Sequence, residues 1–268
     1  MKNKLNVKNI LELPKDPKVL HNKGVFFEKI GKMDKAIESY KQAAFDDYVK
    51  SQLRLAMIFK EKKEFKEAEK WFSTAWKNGV EDAAFEVGNM YFDLGIYEYC
   101  LYWYEKIASN GNVEAQNNLG VANYQLKDYE RAEKWLRYSA SDDFGKAYFN
   151  LGVLYNQLEN TQEAFEMFKI GSELEDLDAK FNYAVMLWNK KSIKESISVY
   201  KELHKAGYIN GSFNLGMIME LNQNLEEAEK LYKKSSSKGD IKSQYRLGYV
   251  YDRLGNVSDA INFYEKAI

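Results

Sequence analysis

The chain has 268 residues, which accommodates one large domain or two of ordinary size. Its 39 Lys and Arg against 40 Asp and Glu give a formal net charge of −1, excluding the whole-chain positive field that non-specific phosphate binding needs. A single cysteine, Cys100, excludes an internal disulfide framework and any cysteine-only metal cluster, and two histidines, His21 and His204, leave little for a histidine-based site.

In chain order, residues 1–16 are polar, carry Lys2, Lys4 and Lys8, and contain no signal-peptide core. They are assigned as a polar N-terminal segment and a candidate cap. No run of about 18 apolar residues occurs anywhere, so no membrane span is expected and the protein is taken as soluble and cytoplasmic. Both prolines, Pro14 and Pro17, lie at the amino end. Proline costs about 3 kcal/mol in a helix interior, so the proline-free remainder predicts an all-α protein.

From Pro17 onward the sequence repeats every 32 residues without insertion. Gly24, Ala56, Gly88, Gly120, Gly152, Ala184, Gly216 and Gly248 form a small-residue column. Ala36, Ala68, Cys100, Ala132, Ala164, Ser196, Ala228 and Ala260 form a second column, twelve residues later. A bulky column, Tyr40, Phe72, Tyr104, Leu136, Phe168, Tyr200, Tyr232 and Tyr264, follows four residues on. The units are 17–48, 49–80, 81–112, 113–144, 145–176, 177–208, 209–240 and 241–268. Each reads as two helices. In the fourth, Ala115, Leu119, Ala122 and Leu126 keep helical spacing, Lys127-Asp128 is a short link, and Tyr129, Ala132, Trp135 and Leu136 repeat the pattern. Asn78-Gly79, Asn110-Gly111, Ala206-Gly207 and Lys238-Gly239 read as left-handed helix stops. Two such helices cannot close a core alone, whereas stacked units bury a continuous one. A small residue on the first helix is expected to sit opposite the alanine of the second, where a larger one would overpack the pair by about 1–3 kcal/mol. Cys100 fills an alanine slot and reads as a small buried residue.

These residues resemble the tetratricopeptide family and its Sel1-like relatives. Asn118-Leu119-Gly120, Asn150-Leu151-Gly152 and Asn214-Leu215-Gly216, each with Ala twelve residues after its glycine, are similar to both. The Gly-x-x-x-Ala links at Gly79–Ala83 and Gly111–Ala115 are Sel1-like, and the link within each unit has tetratricopeptide length. The resemblance implies a right-handed α-solenoid (superhelix) of eight 32-residue helix-turn-helix repeats forming one domain over 17–268. It further implies that first helices line a concave groove.

Chemistry is sparse. No Walker-type loop, Gly-x-Ser-x-Gly elbow or Cys-x-x-Cys is present. His21 and His204 lie in the first and sixth units, too far apart along a stacked rod to meet. Acidic pairs such as Glu226-Glu227 and Asp142-Asp143 read as first-turn charges or solvated ion pairs. Lys60 to Lys63, Lys190-Lys191 and Lys233-Lys234 have acidic residues nearby and read as solvated faces. No enzyme activity, cofactor, metal or nucleic-acid partner is expected.

A partner surface is more legible. At about 100° per residue, Leu151, Leu154, Tyr155 and Leu158 centre on one side of a first helix, and Phe149, Val153 and Asn156 on the other. Three columns mark the second side as a candidate peptide-binding face. One is Asn118, Asn150, Asn182 and Asn214, with Arg54 and Arg246 in equivalent slots and Glu86 interrupting. Asparagine carries both a donor and an acceptor, as a peptide main chain requires. Another is Phe85, Phe149, Phe181, Phe213 and Tyr245, for which packing within the array is the competing reading. The third holds Phe92, Tyr124 and Trp188, broken by Asn156. Aromatics clustered on such a wall are typical binding hot spots.

The expected function is a non-catalytic scaffold for protein–protein interaction, gripping an extended peptide or a partner's helix along its concave face. The alternative is an assembly unit that self-associates through the final helix (Ile261, Tyr264, Ile268), which lacks a polar cap; a monomer is favoured over that end-to-end dimer. An RNA-binding solenoid is the remaining reading, ranked below both.

Overall fold

The computed structural model describes residues 16–268, so the candidate cap at 1–16 lies, but for its last residue, outside the described residues. Among those described are sixteen α-helices and no strand. They are α1 (Pro17–Lys29), α2 (Met33–Phe45), α3 (Val49–Glu61), α4 (Phe65–Lys77), α5 (Glu81–Asp93), α6 (Tyr97–Ala108), α7 (Val113–Gln125) and α8 (Tyr129–Ala140). Then follow α9 (Gly145–Gln157), α10 (Thr161–Glu173), α11 (Leu177–Asn189), α12 (Ile193–Lys205), α13 (Ile209–Leu221), α14 (Leu225–Ser236), α15 (Ile241–Arg253) and α16 (Val257–Lys266). Every first helix opens on the first residue of a unit read from the sequence.

The turns keep this register. Within the units, Gly31, Lys63, Gly95, Lys127, Glu159, Lys191, Gln223 and Gly255 all have positive φ. Between units the same place is held by Asp47, Gly79, Gly111, Asp143, Glu175, Gly207 and Gly239. The sequence signalled these stops only where glycine stands; the geometry is the same where Lys, Asp, Glu or Gln must adopt it. The residue after most stops reaches back across the turn, as in Lys32 N–H to the Phe27 carbonyl at 2.8 Å and Asn160 N–H to that of Tyr155 at 2.9 Å. These bonds satisfy carbonyls that the helix end would otherwise orphan. Asn112, Asp176 and Asp240 cap the following first helices, accepting from Ala115, Ala179 and Ser243 N–H.

The chain divides into two compact units, Met1–Ala132 and Glu133–Ile268, at a point inside α8. In both, the small column has a different steric cause from the one expected. A methyl group on Gly24, Gly88, Gly152, Gly216 or Gly248 would meet the ring of the bulky residue sixteen positions later, at 2.5–2.6 Å. Glycine thus makes room for Tyr40, Tyr104, Phe168, Tyr232 or Tyr264, rather than for the alanine of the second helix. The alanine column is itself buried, with Ala36, Ala68, Ala164 and Ala228 at 0% exposure. Cys100 sits there too, fully buried, its thiol donating to the Tyr97 carbonyl at 3.0 Å.

On the buried side of α9, Leu151, Leu154 and Tyr155 are in the core as expected, whereas Leu158 ends the helix and is 38% exposed. Consecutive repeats are tied there by a recurring bond. Tyr91 donates to Glu69, Tyr155 to Glu133 and Tyr251 to Glu229, at 2.6, 2.6 and 3.0 Å, each carboxylate lying on the preceding second helix.

Candidate functional site

The face opposite those ties is built from first helices, and the 32-residue register fixes what meets across each crevice. The column of Phe92, Tyr124, Asn156 and Trp188 extends in both directions to Glu28, Lys60 and Glu220. Each of these charges pairs with the residue 26 positions later, which occupies the asparagine slot of the next repeat. Glu28 binds Arg54, Lys60 binds Glu86 at 2.8 Å, and Glu220 binds Arg246 at 3.2 Å. Tyr40 Oη and Tyr232 Oη donate to the same two glutamates at 2.7 and 2.9 Å, so Tyr40–Glu28–Arg54 recurs as Tyr232–Glu220–Arg246. The carboxyl of Glu28 is held below its ordinary range, first by the Arg54 hydrogen bond and less by Tyr40, against an opposing burial effect. Arg54 and Arg246 are therefore neutralised from within the array.

Where the first partner is aromatic or amide, the second is asparagine: Phe92 with Asn118, Asn156 with Asn182, and Trp188 with Asn214. The asparagine donors are taken up by groups of the array itself. Asn118 Nδ2 donates to Asn89 at 3.3 Å and its Oδ1 accepts from Asn117. Asn182 Nδ2 donates to the Asp178 carbonyl at 2.8 Å, and Asn214 Nδ2 to Tyr200 Oη at 3.0 Å. Asn182 and Asn214 both line cavities, and no described residue donates to their side-chain oxygens. Asn150 lies half-buried on α9 in the same slot.

The aromatic columns are partly structural. Phe85, Phe149, Phe181, Phe213 and Tyr245 each lie with their ring centroids 5.6–6.2 Å from the ring 19 positions later, on the second helix of the same repeat. They brace the rings that fill the glycine notches, and only Tyr245 among them is largely exposed, at 56%. Phe92 and Tyr124 contact Tyr97 and Tyr129 at the start of the following helix. Trp188 differs: it packs on the α11–α14 core and also lines a cavity.

Three cavities open on this face, each at such a pairing. The first, about 590 Å³, lies between α1 and α3 at Glu28 and Arg54, with His21 and Lys50 on its wall. The second, about 270 Å³, lies between α9 and α11 at Asn156 and Asn182. The third, about 170 Å³, lies between α11 and α13 at Trp188 and Asn214, completed by Tyr200, Met217, Ile218 and Leu221. Met217 and Leu221, which the sequence reading did not single out, stand in these walls, and so does Lys190, read from the sequence only as part of a solvated face; register with the named columns is the signal that could have placed them.

Neither histidine joins a metal or catalytic cluster, and among the described residues no group of three His, Cys, Asp or Glu could hold a metal ion. His21 and His204 are half-buried, each with Nδ1 2.9 Å from a serine hydroxyl, of Ser51 and Ser212. No helix among the described residues is long and apolar enough to cross a membrane.

Family models agree with this architecture. Tetratricopeptide repeat models match residues 17–44, 104–145, 145–169 and 241–268, and the Sel1 repeat model matches 81–112 and 209–240. The matches together span more than half of the chain. It is a tetratricopeptide/Sel1-like repeat protein. Among solved structures, this repeat protein is similar to a Sel1 repeat protein from Oxalobacter formigenes (TM-score 0.69, 21% identity, covering 94% of this chain and 82% of that one). It is also similar to a protective antigen of uropathogenic Escherichia coli with an SLR fold (TM-score 0.60, 23% identity), covering 94% of this chain but only 61% of that one. A third is YrrB, described as a tetratricopeptide repeat protein with an unusual peptide-binding site (TM-score 0.50, 19% identity, 65% and 94% covered). These likenesses establish the α-solenoid fold. No curated protein matches the chain in sequence.

Proposed function

We propose that this chain is a non-catalytic scaffold that holds an extended peptide, or a partner's helix, along its first-helix face. Repeats of this family generally mediate protein–protein interactions. The reading takes 17–268 as one repeat domain, because the 32-residue register runs unbroken through α8. The observation that carries it is the alternation on that face. Glu28–Arg54, Lys60–Glu86 and Glu220–Arg246 are internal charge pairs, the first of them beside the cavity of about 590 Å³, while Asn182 and Asn214 line the other two cavities with amide oxygens to which no described residue donates. A main-chain N–H is the natural donor to such oxygens. YrrB, of the same fold, is described as binding a peptide, which supports the assignment.

The test is to select binders from a phage-displayed random peptide library. Those binders are then measured against the Asn182→Ala/Asn214→Ala double variant. Loss of binding with helicity and melting temperature unchanged is expected; undiminished binding would remove the groove from the account.

One observation favours a second reading, self-association through α16, where Val257 is 61% and Ile261 53% exposed. Sedimentation velocity over a range of concentrations separates the two. A particle that stays monomeric at high concentration disposes of assembly.

A further inference from the structure

The two cavities flanking α11 differ in character, and the difference specifies a ligand. The one between α11 and α13 is apolar apart from the Asn214 amide and the Tyr200 hydroxyl. Trp188, Met217 and Leu221 form its walls, Ile218 is 4% exposed, and Leu221, 68% exposed, stands at its edge. At about 170 Å³ it has the scale of one large apolar side chain.

The cavity between α9 and α11 is polar. Asn156, Thr161, Asn182 and Asn189 supply uncharged groups, and Lys190 is the one charged residue in its lining. Among the described residues no carboxylate lies within ion-pair distance of Lys190. Its ammonium is instead held 3.6 Å over the Phe165 ring and 3.3 Å from Gln162 Oε1. Gln162 in turn donates to Glu166 at 3.0 Å, so the amide separates the lysine from the nearest acid bonded to it. Elsewhere on this face Lys60, Arg54 and Arg246 are paired with glutamates, while Lys29 and Lys50 in the first cavity's wall, like Lys190, are not. Lys190 is thus an exposed cation in the cavity lining, held by a ring and an amide and available to an acidic group of a ligand.

Resting on the groove reading above, we infer that the face around α11 is a two-pocket reader for an extended peptide. One ligand residue, Leu, Ile, Met or Phe, enters the Trp188 cavity, and an acidic residue reaches Lys190. Asn182 Oδ1 and Asn214 Oδ1 accept the intervening main-chain N–H groups. The spacing follows from helix packing. Packed helices stand about 8–10 Å apart, and a polyproline II segment advances about 9 Å per three-residue turn. The acidic and apolar residues therefore fall three positions apart.

The experiment uses the purified full chain and a phage-displayed random 12-residue library, with enriched peptides synthesised and measured by fluorescence anisotropy. Enrichment of an acidic residue three positions from a large apolar one is expected. Lys190→Glu should then weaken such a peptide about tenfold or more, Lys190→Gln less, and reselection on Lys190→Glu should replace the acid by Lys or Arg. Trp188→Ala should abolish the apolar preference and leave the acidic one. Lys190 is exposed, so neither substitution at it should alter the circular dichroism spectrum or melting temperature. Enriched peptides without an acid, or acidic peptides bound equally by Lys190→Glu, overturn the inference. If those peptides still depend on Asn182 and Asn214, the groove stands and only its chemistry is wrong. If they do not, or if nothing is enriched, the groove reading falls as well.

Discussion

The ring of Tyr232 lies against Gly216, so close that a methyl group on the glycine would stand 2.6 Å from Cε1. Tyr232 is fully buried and its hydroxyl is held by Glu220, so the ring has nowhere to swing. In an ordinary helix interior Gly→Ala gains about 1 kcal/mol. Here overpacking by about 1–3 kcal/mol opposes it, and Gly216→Ala should lower the urea midpoint. In a Tyr232→Leu background, the same change should be neutral or stabilising. Equal effects in both backgrounds would show that the ring is not the cause.

Arg246 and Glu220 test the internal closure of the outer crevices. Glu220 has a side-chain exposure of 13%, and Arg246 is its charged partner. Arg246→Ala leaves that carboxylate with only the Tyr232 hydroxyl, and should destabilise by about 1–3 kcal/mol. Adding Glu220→Gln to it should recover part of the loss, since the uncompensated charge is then gone. Strict additivity in denaturation measurements would mean that the two residues act independently.

The sequence carried the fold because its register is uninterrupted: the small, alanine and bulky columns set the eight units, and every first helix starts where a unit does. It misled on the reason for the small column. Periodicity places Gly24 and Ala36 on facing helices, but does not say that the Tyr40 ring lies over the glycine. The site was half legible. Asn182, Asn214 and Trp188 were identifiable by column, yet their significance depends on Glu28, Lys60 and Glu220 being charge-paired at the equivalent places, a relation between positions 26 apart. The packing of Phe149, Phe181 and Phe213 onto their second helices likewise depends on side-chain direction, which spacing alone does not supply.

Acid should weaken the fold in two stages. His21 and His204 are both pushed below 6.5, mainly by burial and secondarily by Lys50 and Lys234, with Glu28 and Glu227 opposing. The folded chain then binds fewer protons than the unfolded one, so stability is full above pH 6.5 and declines as pH falls through the lowered values. Glu28, Glu133 and Glu229 are held below 4.5, chiefly by hydrogen bonds from Arg54, Tyr155 and Lys233 respectively, and extend the decline below that pH in the same direction. Proton NMR of the two imidazoles, assigned with His21→Gln, should give both midpoints under 6.5. A midpoint at or above that value contradicts the burial argument for that residue.

Cys100 is buried, and burial pushes its thiol up to about 12. Thiolate is the reactive form. Ellman's reagent at pH 8 should therefore label the native chain far more slowly than the chain in guanidinium. Native labelling as fast as that of a free thiol would place Cys100 at an open surface.

The turns offer a gain in stability. Gln223 adopts φ +60° at the stop between α13 and α14, where Gly31, Gly95 and Gly255 stand in equivalent repeats. A side chain in the left-handed region costs about 1–2 kcal/mol, whereas glycine enters it without that penalty but loses more chain entropy on folding. The steric relief exceeds the added entropy, and Gln223→Gly should raise the urea midpoint by the equivalent of about 0.5–1 kcal/mol. Gln223 Oε1 also accepts from Arg253 at 2.9 Å, an exposed bond whose loss is worth less than the strain removed. Glu159→Gly at the same place in the fifth repeat, with φ +62°, provides a version free of that bond and should gain at least as much. A loss of stability in both variants would mean that the left-handed stops are held without strain.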